Sequence, residues 1–269
     1  MRGLPLRSTV PLNFENFGEG GVRPLVILHG LFGHAQNWRS VAKALSTRLS
    51  RRVIVAELRN HGASPRTPTM LYPEMAADVL ELAQKQAPGG IDLLGHSMGG
   101  KTAMHAALTG SPLIRRLVVE DVAPRRYEAN NAVFRQMIRA MRDLDLSRPR
   151  NELPELLGQT VTGKAVRDFL LTNVANVNGK LEWKMNLDAI EEYIDHVLGA
   201  ENIQGLFDRP TLFVHGGDSA YVRAEDHAVI RKMFPKSSIE CIPGAGHWLH
   251  AEKPTEFIHS VVQFLNSTE

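Results

Sequence analysis

Short, uninterrupted apolar runs recur along the chain, and stretches with apolar residues at helical spacing separate most of them. Six runs have the composition of strands: 25–28, 53–57, 91–94, 117–120, 211–215 and 238–242. Helical spacing marks the stretches 37–50, 72–86, 98–109, 224–234 and 254–266. Continuous apolar strands are expected where helices cover both faces of a parallel sheet. The sequence therefore predicts an α/β fold with a mostly parallel central sheet flanked by helices.

One long interval interrupts this alternation. From about Arg125 to Gly205 only helical spacing is found, with no convincing strand. So much helix between two strands is expected to lie over the carboxyl edge of the sheet, where α/β proteins bind ligands. We predict a core formed by residues 1–124 and 207–269, and a helical cap formed by residues 125–206. Most apolar cap residues should pack on the core, and a few should line an acyl pocket.

Composition excludes several classes of protein. The chain has 269 residues, of which 43% are hydrophobic and 22% charged, as is ordinary for a globular protein. Its 31 Lys and Arg against 29 Asp and Glu leave a net charge of +2, too little to hold a nucleic acid backbone. The arginine pairs at 51–52, 115–116 and 125–126 are expected on solvent-exposed faces. The single cysteine, Cys241, excludes an internal disulfide framework, and its strand predicts an inert, buried thiol.

The sequence has no run of 18 or more apolar residues, so no membrane span is predicted. The first ten residues lack the apolar stretch of a secretory signal. They carry Arg2 and Arg7 but no acidic residue, which faintly resembles the end of a mitochondrial presequence. We expect a cytoplasmic protein, with the mitochondrial matrix as the alternative if a presequence has been removed.

The segment Gly95-His-Ser-Met-Gly99 directly follows an apolar strand and directly precedes a helical pattern. A nucleophile that projects from a sharp strand-to-helix turn needs small residues two positions before and two positions after it. Ser97 is therefore the candidate nucleophile. The start of the following helix also directs backbone N–H groups towards developing negative charge. The alternative is a tight turn whose serine only caps a helix.

A serine nucleophile needs a base, and His247 is the best placed of the 11 histidines. It follows the last strand in a glycine-rich loop, which can hold an imidazole over the sheet edge. The nearby His250 would complete an H-x-x-H pair, but no second pair of ligands lies near it in the sequence. We therefore expect neither a metal ion nor a cofactor.

The segment His29-Gly-Leu-Phe-Gly33 follows an early strand and is the natural source of a second oxyanion donor. A tetrahedral intermediate carries its charge on oxygen, and two backbone N–H groups stabilise it. We assign these donors to Met98 and Leu31, with Phe32 as the substitute for Leu31. The alternative is a plain glycine turn.

Two strands offer the acid of a Ser–His–acid triad. Asp121 ends the run 117–120, whereas Asp218 follows the run 211–215. Glu120 and Asp121 should point to opposite sides of an extended chain, so only one of them should reach the imidazole. Residue pattern alone leaves Asp121 and Asp218 as alternatives.

Several motifs together resemble the α/β-hydrolases, and more closely the bacterial YbfF esterases and the animal abhydrolase-domain-11 proteins. They are His29–Gly33, Leu58–Gly62 with Ser64-Pro65, Gly95–Lys101, Glu120–Pro124 and Gly246–Pro254, with 169–171 and 183–187 in the predicted cap. The resemblance covers nearly the whole chain and implies an α/β-hydrolase fold with its helical cap inserted after strand six.

The resemblance also bears on the acid. Most α/β-hydrolases keep it three residues after the glycine that ends the seventh strand, and this position is Ser219. The YbfF-like family is thought to use the aspartate after strand six, which corresponds to Asp121. Asp218 lies one position too early and stays the alternative acid. Glu57 stands where many hydrolases have the aspartate that begins the motif of strand four. We expect its side chain to make a structural polar contact.

The resemblance implies a serine carboxylesterase acting on small-molecule acyl esters of short to medium chain length through an acyl-enzyme intermediate. Acyl-CoA thioesters are a second implied substrate class. Arg59, Asn60 and His61 are expected to hold a loop or the cap rather than to take part in the reaction. The alternative from another class is a hydrolase fold that acts as a small-molecule receptor or as a protein-stabilising partner with little turnover.

Overall fold

The computed structural model describes residues 9–21, 23–128, 131–200 and 203–267. Its strands are β1 (Phe14–Phe17), β2 (Leu25–Leu28), β3 (Val53–Ala56), β4 (Ile91–His96), β5 (Ile114–Glu120), β6 (Val174–Val177), β7 (Lys180–Trp183), β8 (Thr211–Gly216) and β9 (Ser237–Ile242). Its α-helices are α1 (Arg39–Leu49), α2 (Tyr72–Gln86), α3 (Met98–Leu108), α4 (Asn131–Asp143), α5 (Leu153–Gly158), α6 (Lys164–Leu171), α7 (Leu187–Leu198), α8 (Asp226–Met233), α9 (Leu249–Glu252) and α10 (Pro254–Ser267). A 3₁₀-helix spans Ala35–Trp38.

The central sheet has seven strands in the order β1-β3-β2-β4-β5-β8-β9. β1 pairs antiparallel with β3, and the other neighbours pair parallel. The prediction of an α/β fold with a mostly parallel sheet is confirmed. Because parallel strands end at the same edge, the residues that follow β2, β4, β5, β8 and β9 share one edge of the sheet.

Both faces of the sheet are buried, which explains the continuous apolar runs. In β2, Val26 and Leu28 belong to a core packed against α2 and α3. Leu25 and Ile27 belong to a second core, packed against α1 and α10. Neighbouring residues of a strand point to opposite faces, so every position of such a strand must be apolar.

Two strand predictions need correction. β1 was not predicted, since Phe14-Glu-Asn-Phe17 alternates apolar and polar residues instead of forming an apolar run. β9 was predicted as a buried strand, but it lies at the sheet edge, and Cys241 is therefore exposed. The strand that the resemblance counts as strand six, the one that Asp121 follows, is β5 in the numbering used here, and the insertion begins after it.

The segment between β5 and β8 also contains β structure, contrary to the prediction of helices alone. We call residues 125–206 the insertion; it carries α4 to α7 and the antiparallel hairpin β6–β7. The hairpin turns at Asn178 and Gly179, whose φ angles are 51° and 84°. Asn-Gly is the residue pair that such a left-handed two-residue turn favours, so this signal was present in the sequence.

Two of the arginines predicted on exposed faces are buried. Arg51 and Arg116 both donate to the carboxylate of Asp92 in β4, at 2.6 Å from its Oδ2. Asp92 itself is fully buried. The two guanidinium groups compensate one buried carboxylate, which would otherwise be costly to remove from water. Sequence alone could not show this because the three residues are far apart along the chain.

None of the described helices is both long enough and apolar enough to cross a membrane.

Candidate active site

Ser97 lies in a strained turn between the last residue of β4 and the first residue of α3. Its φ and ψ angles are 53° and −116°, a region that non-glycine residues rarely adopt. A Cβ atom on Gly95 would collide with the Gly99 carbonyl, and one on Gly99 would lie 2.5 Å from the carbonyl oxygens of Leu28 and His29. The two glycines therefore permit the turn, as expected for a nucleophile elbow.

Asp121 follows β5 directly and is fully buried. Its Oδ2 accepts hydrogen bonds from His247 Nδ1 at 2.7 Å and from Ser219 Oγ at 2.5 Å. Its Oδ1 accepts from the Gly216 N–H at 3.1 Å. These three hydrogen bonds fix the position of the carboxylate beside the imidazole. Since Nδ1 of His247 donates to this carboxylate, its Nε2 is the nitrogen able to accept a proton.

The structure brings Asp121, and not Asp218, to His247. Asp218 is exposed, and its backbone N–H donates to the Ala245 carbonyl. Ser219 occupies the position where most hydrolases of this fold keep the acid, and its hydroxyl donates to Asp121 instead. The pairing of β5 with β8 places these loops next to each other.

The two candidate oxyanion donors flank Ser97. Met98 is the first residue of α3, where backbone N–H groups have no carbonyl partner within the helix. Leu31 lies in a turn that the Gly33 N–H closes by donating to the Gly30 carbonyl at 3.0 Å. The Phe32 N–H donates to His61 Nε2 at 3.3 Å, so Phe32 is the poorer candidate of the two.

The polar residues after β3 hold the loop and the insertion, as predicted. Glu57 accepts from the backbone N–H groups of Ala63, in the same loop, and of Ala35, the first residue of the 3₁₀-helix. Arg59 is buried and forms ion pairs with two carboxylates of α2. Asn60 binds the insertion through two hydrogen bonds from Asn186, at 2.9 Å to its carbonyl and at 3.1 Å to its side chain.

A second buried group that sequence reasoning missed lies beside His247. Glu120 Oε1 accepts from the N–H and from Nδ1 of His250, at 3.0 and 2.8 Å. His96 Nε2 donates to the His247 carbonyl at 2.9 Å. The expectation that Glu120 and Asp121 point to opposite sides is thereby confirmed, and each binds a different histidine. Residues 96, 120 and 250 are close enough to hold a metal ion, but an ion there would compete with these hydrogen bonds.

Ser97 and His247 line a cavity of about 310 Å³, a size within the usual range for small-molecule sites. The insertion contributes six of its lining residues from α4 and α6: Val133, Phe134, Met137, Val166, Phe169 and Leu170. Among the described residues, none of those that line the cavity is Lys, Arg, Asp or Glu. The cavity therefore suits a neutral, mostly apolar molecule.

Buried histidines make stability depend on pH. Burial lowers the pKa of His29 to about 4 and those of His61, His96 and His250 to about 3. In the unfolded chain these rings bind protons near pH 6.5, so the unfolded state takes up more protons as the pH falls below that value. Each ring then destabilises the fold by up to about 1.4 kcal/mol per pH unit.

We expect the urea midpoint of unfolding to fall steadily from pH 6.5 to pH 4.5, measured by circular dichroism. Glu120 acts in the opposite direction, because burial raises its pKa from 4.5 to about 7. It holds a proton in the folded state that the unfolded chain releases, so between these values its contribution to stability decreases as the pH rises. Burial also raises the pKa of Asp78, but these two carboxyl groups are outnumbered by the buried imidazoles, so a midpoint that stays constant or rises on acidification would contradict the prediction.

Comparison with known proteins agrees with this geometry. Residues 25–260 match the sequence profile of the alpha/beta hydrolase family. An sn-1-specific diacylglycerol lipase ABHD11 from Danio rerio is 40% identical over 96% of this chain and 83% of its own length. Esterase YbfF from Escherichia coli K12 is 35% identical over 90% of this chain and 93% of its own length.

A solved structure described as a marine microorganism esterase is 36% identical, with a TM-score of 0.91. The alignment covers 95% of this chain and 100% of that one. The fold, the family profile and these relatives agree, and the chain therefore belongs to the alpha/beta hydrolase family.

Proposed function

We propose that the protein is a serine carboxylesterase that hydrolyses short- to medium-chain acyl esters, with acyl-CoA thioesters as a second substrate class. One observation carries the proposal: Ser97 lies at a strained elbow on the same cavity as His247, and Nδ1 of His247 binds the buried carboxylate of Asp121 at 2.7 Å. Relatives named as esterases and as a lipase support a carboxylic ester hydrolase.

The reaction follows from the positions of these groups. Ser97 Oγ attacks the ester carbonyl while His247 Nε2 takes its proton. Asp121 holds the required tautomer and stabilises the imidazolium. The N–H groups of Leu31 and Met98 bind the oxyanion, and His247 then returns the proton to the leaving oxygen. A water molecule activated by His247 releases the acid from the acyl-enzyme.

We further propose that the insertion acts as a cap that completes the substrate cavity. Its helices α4 and α6 supply apolar side chains to the wall of that cavity. The hydrogen bonds that hold it to the core include those of Asn186 to Asn60, and those of Lys101 Nζ to the carbonyls of residues 197–199 at the end of α7. The proposed division is the one predicted from the sequence, a core of residues 1–124 and 207–269 with the cap between them.

Hydrolysis of p-nitrophenyl esters from acetate to palmitate tests this function. We expect repeated turnover with a maximum between acetate and octanoate, because a cavity of about 310 Å³ cannot enclose a palmitoyl chain together with its leaving group. The initial rate and the number of cycles per enzyme are measured. A single stoichiometric release of p-nitrophenol without further cycles would contradict the proposal and indicate a receptor that is merely acylated.

A further inference from the structure

Ser97 lies between two cavities of very different size. The larger, of about 310 Å³, is the substrate cavity described above. The smaller, of about 20 Å³, extends over the first turn of α3 towards the end of α7. Leu31, Ser97, Phe134 and Tyr221 line both cavities, so the two meet at the nucleophile.

The position of His247 distinguishes the two cavities chemically. His247 and Trp248 line the larger cavity but do not line the smaller one. In ester hydrolysis the same imidazole protonates the leaving oxygen and later activates the attacking water. The leaving alcohol must therefore lie on the side of His247, which is the side of the larger cavity. The acyl substituent on the opposite side of the carbonyl is then directed towards the smaller cavity.

The smaller cavity presents a mostly apolar surface to a bound group. Met98, Val122, Val197 and Leu198 line it and are all buried. Three polar residues that also line it, Tyr72, Lys101 and Tyr127, already have hydrogen-bond partners within the protein. Lys101 Nζ donates to the Leu198 carbonyl at 3.1 Å, Tyr72 Oη donates to the Val197 carbonyl at 2.6 Å, and Tyr127 Oη donates to the Tyr221 carbonyl at 2.7 Å.

These hydrogen bonds also limit how far the smaller cavity can expand. Tyr72 and Lys101 hold the last carbonyls of α7, so the side chains of Val197 and Leu198 cannot move away without breaking buried hydrogen bonds. A cavity needs about 10–15 Å³ to contain one water-sized group. A volume of about 20 Å³ therefore accepts a methyl group but not an alkyl chain.

We propose that the smaller cavity is the acyl subsite and selects an acetyl-sized group, whereas the larger cavity takes the alcohol. The preferred substrates are acetate esters of neutral, medium-length alcohols. This inference rests on the proposed esterase function and assigns its acyl preference to the short end of the range.

Two isomeric esters test the assignment. Hexyl acetate and ethyl hexanoate contain the same atoms and differ only in which side of the carbonyl carries the long chain. We expect kcat/KM for hexyl acetate to exceed that for ethyl hexanoate at least about tenfold, after each value is divided by the ester's rate of alkaline hydrolysis. An equal value, or a preference for ethyl hexanoate, would overturn the inference.

A protein variant with an enlarged smaller cavity provides a second test. Val197→Ala removes two methyl groups from its wall and keeps the carbonyl that Tyr72 binds, so kcat/KM for ethyl hexanoate should rise several-fold relative to hexyl acetate. Val161→Ala is the matched control, because Val161 is a buried insertion residue that lines neither cavity, and it should leave the ratio unchanged. If Val197→Ala does not fold, Leu198→Ala provides the same enlargement.

The remaining outcomes separate this inference from the proposed function. If p-nitrophenyl acetate is hydrolysed but neither alkyl ester is, the larger cavity does not accept an alkyl alcohol, and the subsite assignment fails alone. If no ester of any kind is turned over, the proposed esterase function fails, and the subsite assignment fails with it. An unchanged ratio in a folded Val197→Ala protein would show that the smaller cavity does not select the acyl group.

Discussion

Replacing Ser97 with alanine is expected to lower kcat for p-nitrophenyl esters by about 10⁴- to 10⁶-fold. The change removes the only atom that is placed to form the acyl-enzyme at the elbow. His247, Asp121 and the candidate oxyanion donors stay in position, so a small residual rate through direct attack by water is expected. Steady-state hydrolysis and the loss of covalent labelling by an organophosphate both measure the effect.

The fold should survive this substitution. Alanine at a φ of 53° carries about the same backbone strain as serine there, so the melting temperature should change by only a few degrees. Ser147→Ala is the matched control, since Ser147 is an exposed serine of the insertion and should leave kcat unchanged. A folded Ser97→Ala protein that keeps more than a tenth of the wild-type kcat would rule out Ser97 as the nucleophile.

Asp121→Asn should reduce kcat by about 10³- to 10⁴-fold, whereas Asp218→Asn should change it by less than twofold. The amide removes the charge that stabilises the imidazolium, and it can present an N–H to the Nδ1 of His247, which favours the wrong tautomer. Both variants keep the size of the side chain, so each serves as the control for the other. Single-turnover rates of acylation would localise the loss to the chemical step.

The opposite pattern would reassign the acid. If Asp218→Asn lost most of its kcat while Asp121→Asn stayed active, the exposed Asp218 would have to reach His247 in solution. Equal, small losses in both variants would instead mean that neither carboxylate acts in the reaction.

The sequence predicted the sheet well because the strands of a parallel sheet carry a local signature. Each face of β2 and β3 is covered, so every residue in them is apolar, and α2 has the predicted bounds Tyr72–Gln86. The same reasoning failed for edge positions. β1 and β9 are the two edge strands of the sheet: β1 has no apolar run and was not predicted, whereas β9 was predicted but leaves Cys241 exposed.

Features that depend on contacts between distant residues could not be predicted from the residue pattern alone, and Asp121 was favoured over Asp218 only through the family resemblance. The choice between Asp121 and Asp218 depended on the pairing of β5 with β8, which brings the Gly216 N–H and Ser219 Oγ to the carboxylate of Asp121. The hydrogen bonds between Glu120 and His250 join residues 130 positions apart. In the hairpin β6–β7, by contrast, the local Asn-Gly signal was present and was overlooked.

The insertion is also the crossover that joins two paired parallel strands, β5 and β8. Such a crossover needs about a dozen residues, whereas here residues 121–210 form it. The entropy of closing a loop grows only with the logarithm of its length, so this extension costs the sheet about 2 kcal/mol. The segment that contributes six of the residues lining the cavity can therefore be lengthened, shortened or exchanged at a small cost in stability, while the elbow and the strand ends that hold Ser97, Asp121 and His247 keep their geometry. In such a molecule the substrate preference can change far more readily during evolution than the reaction that the enzyme catalyses.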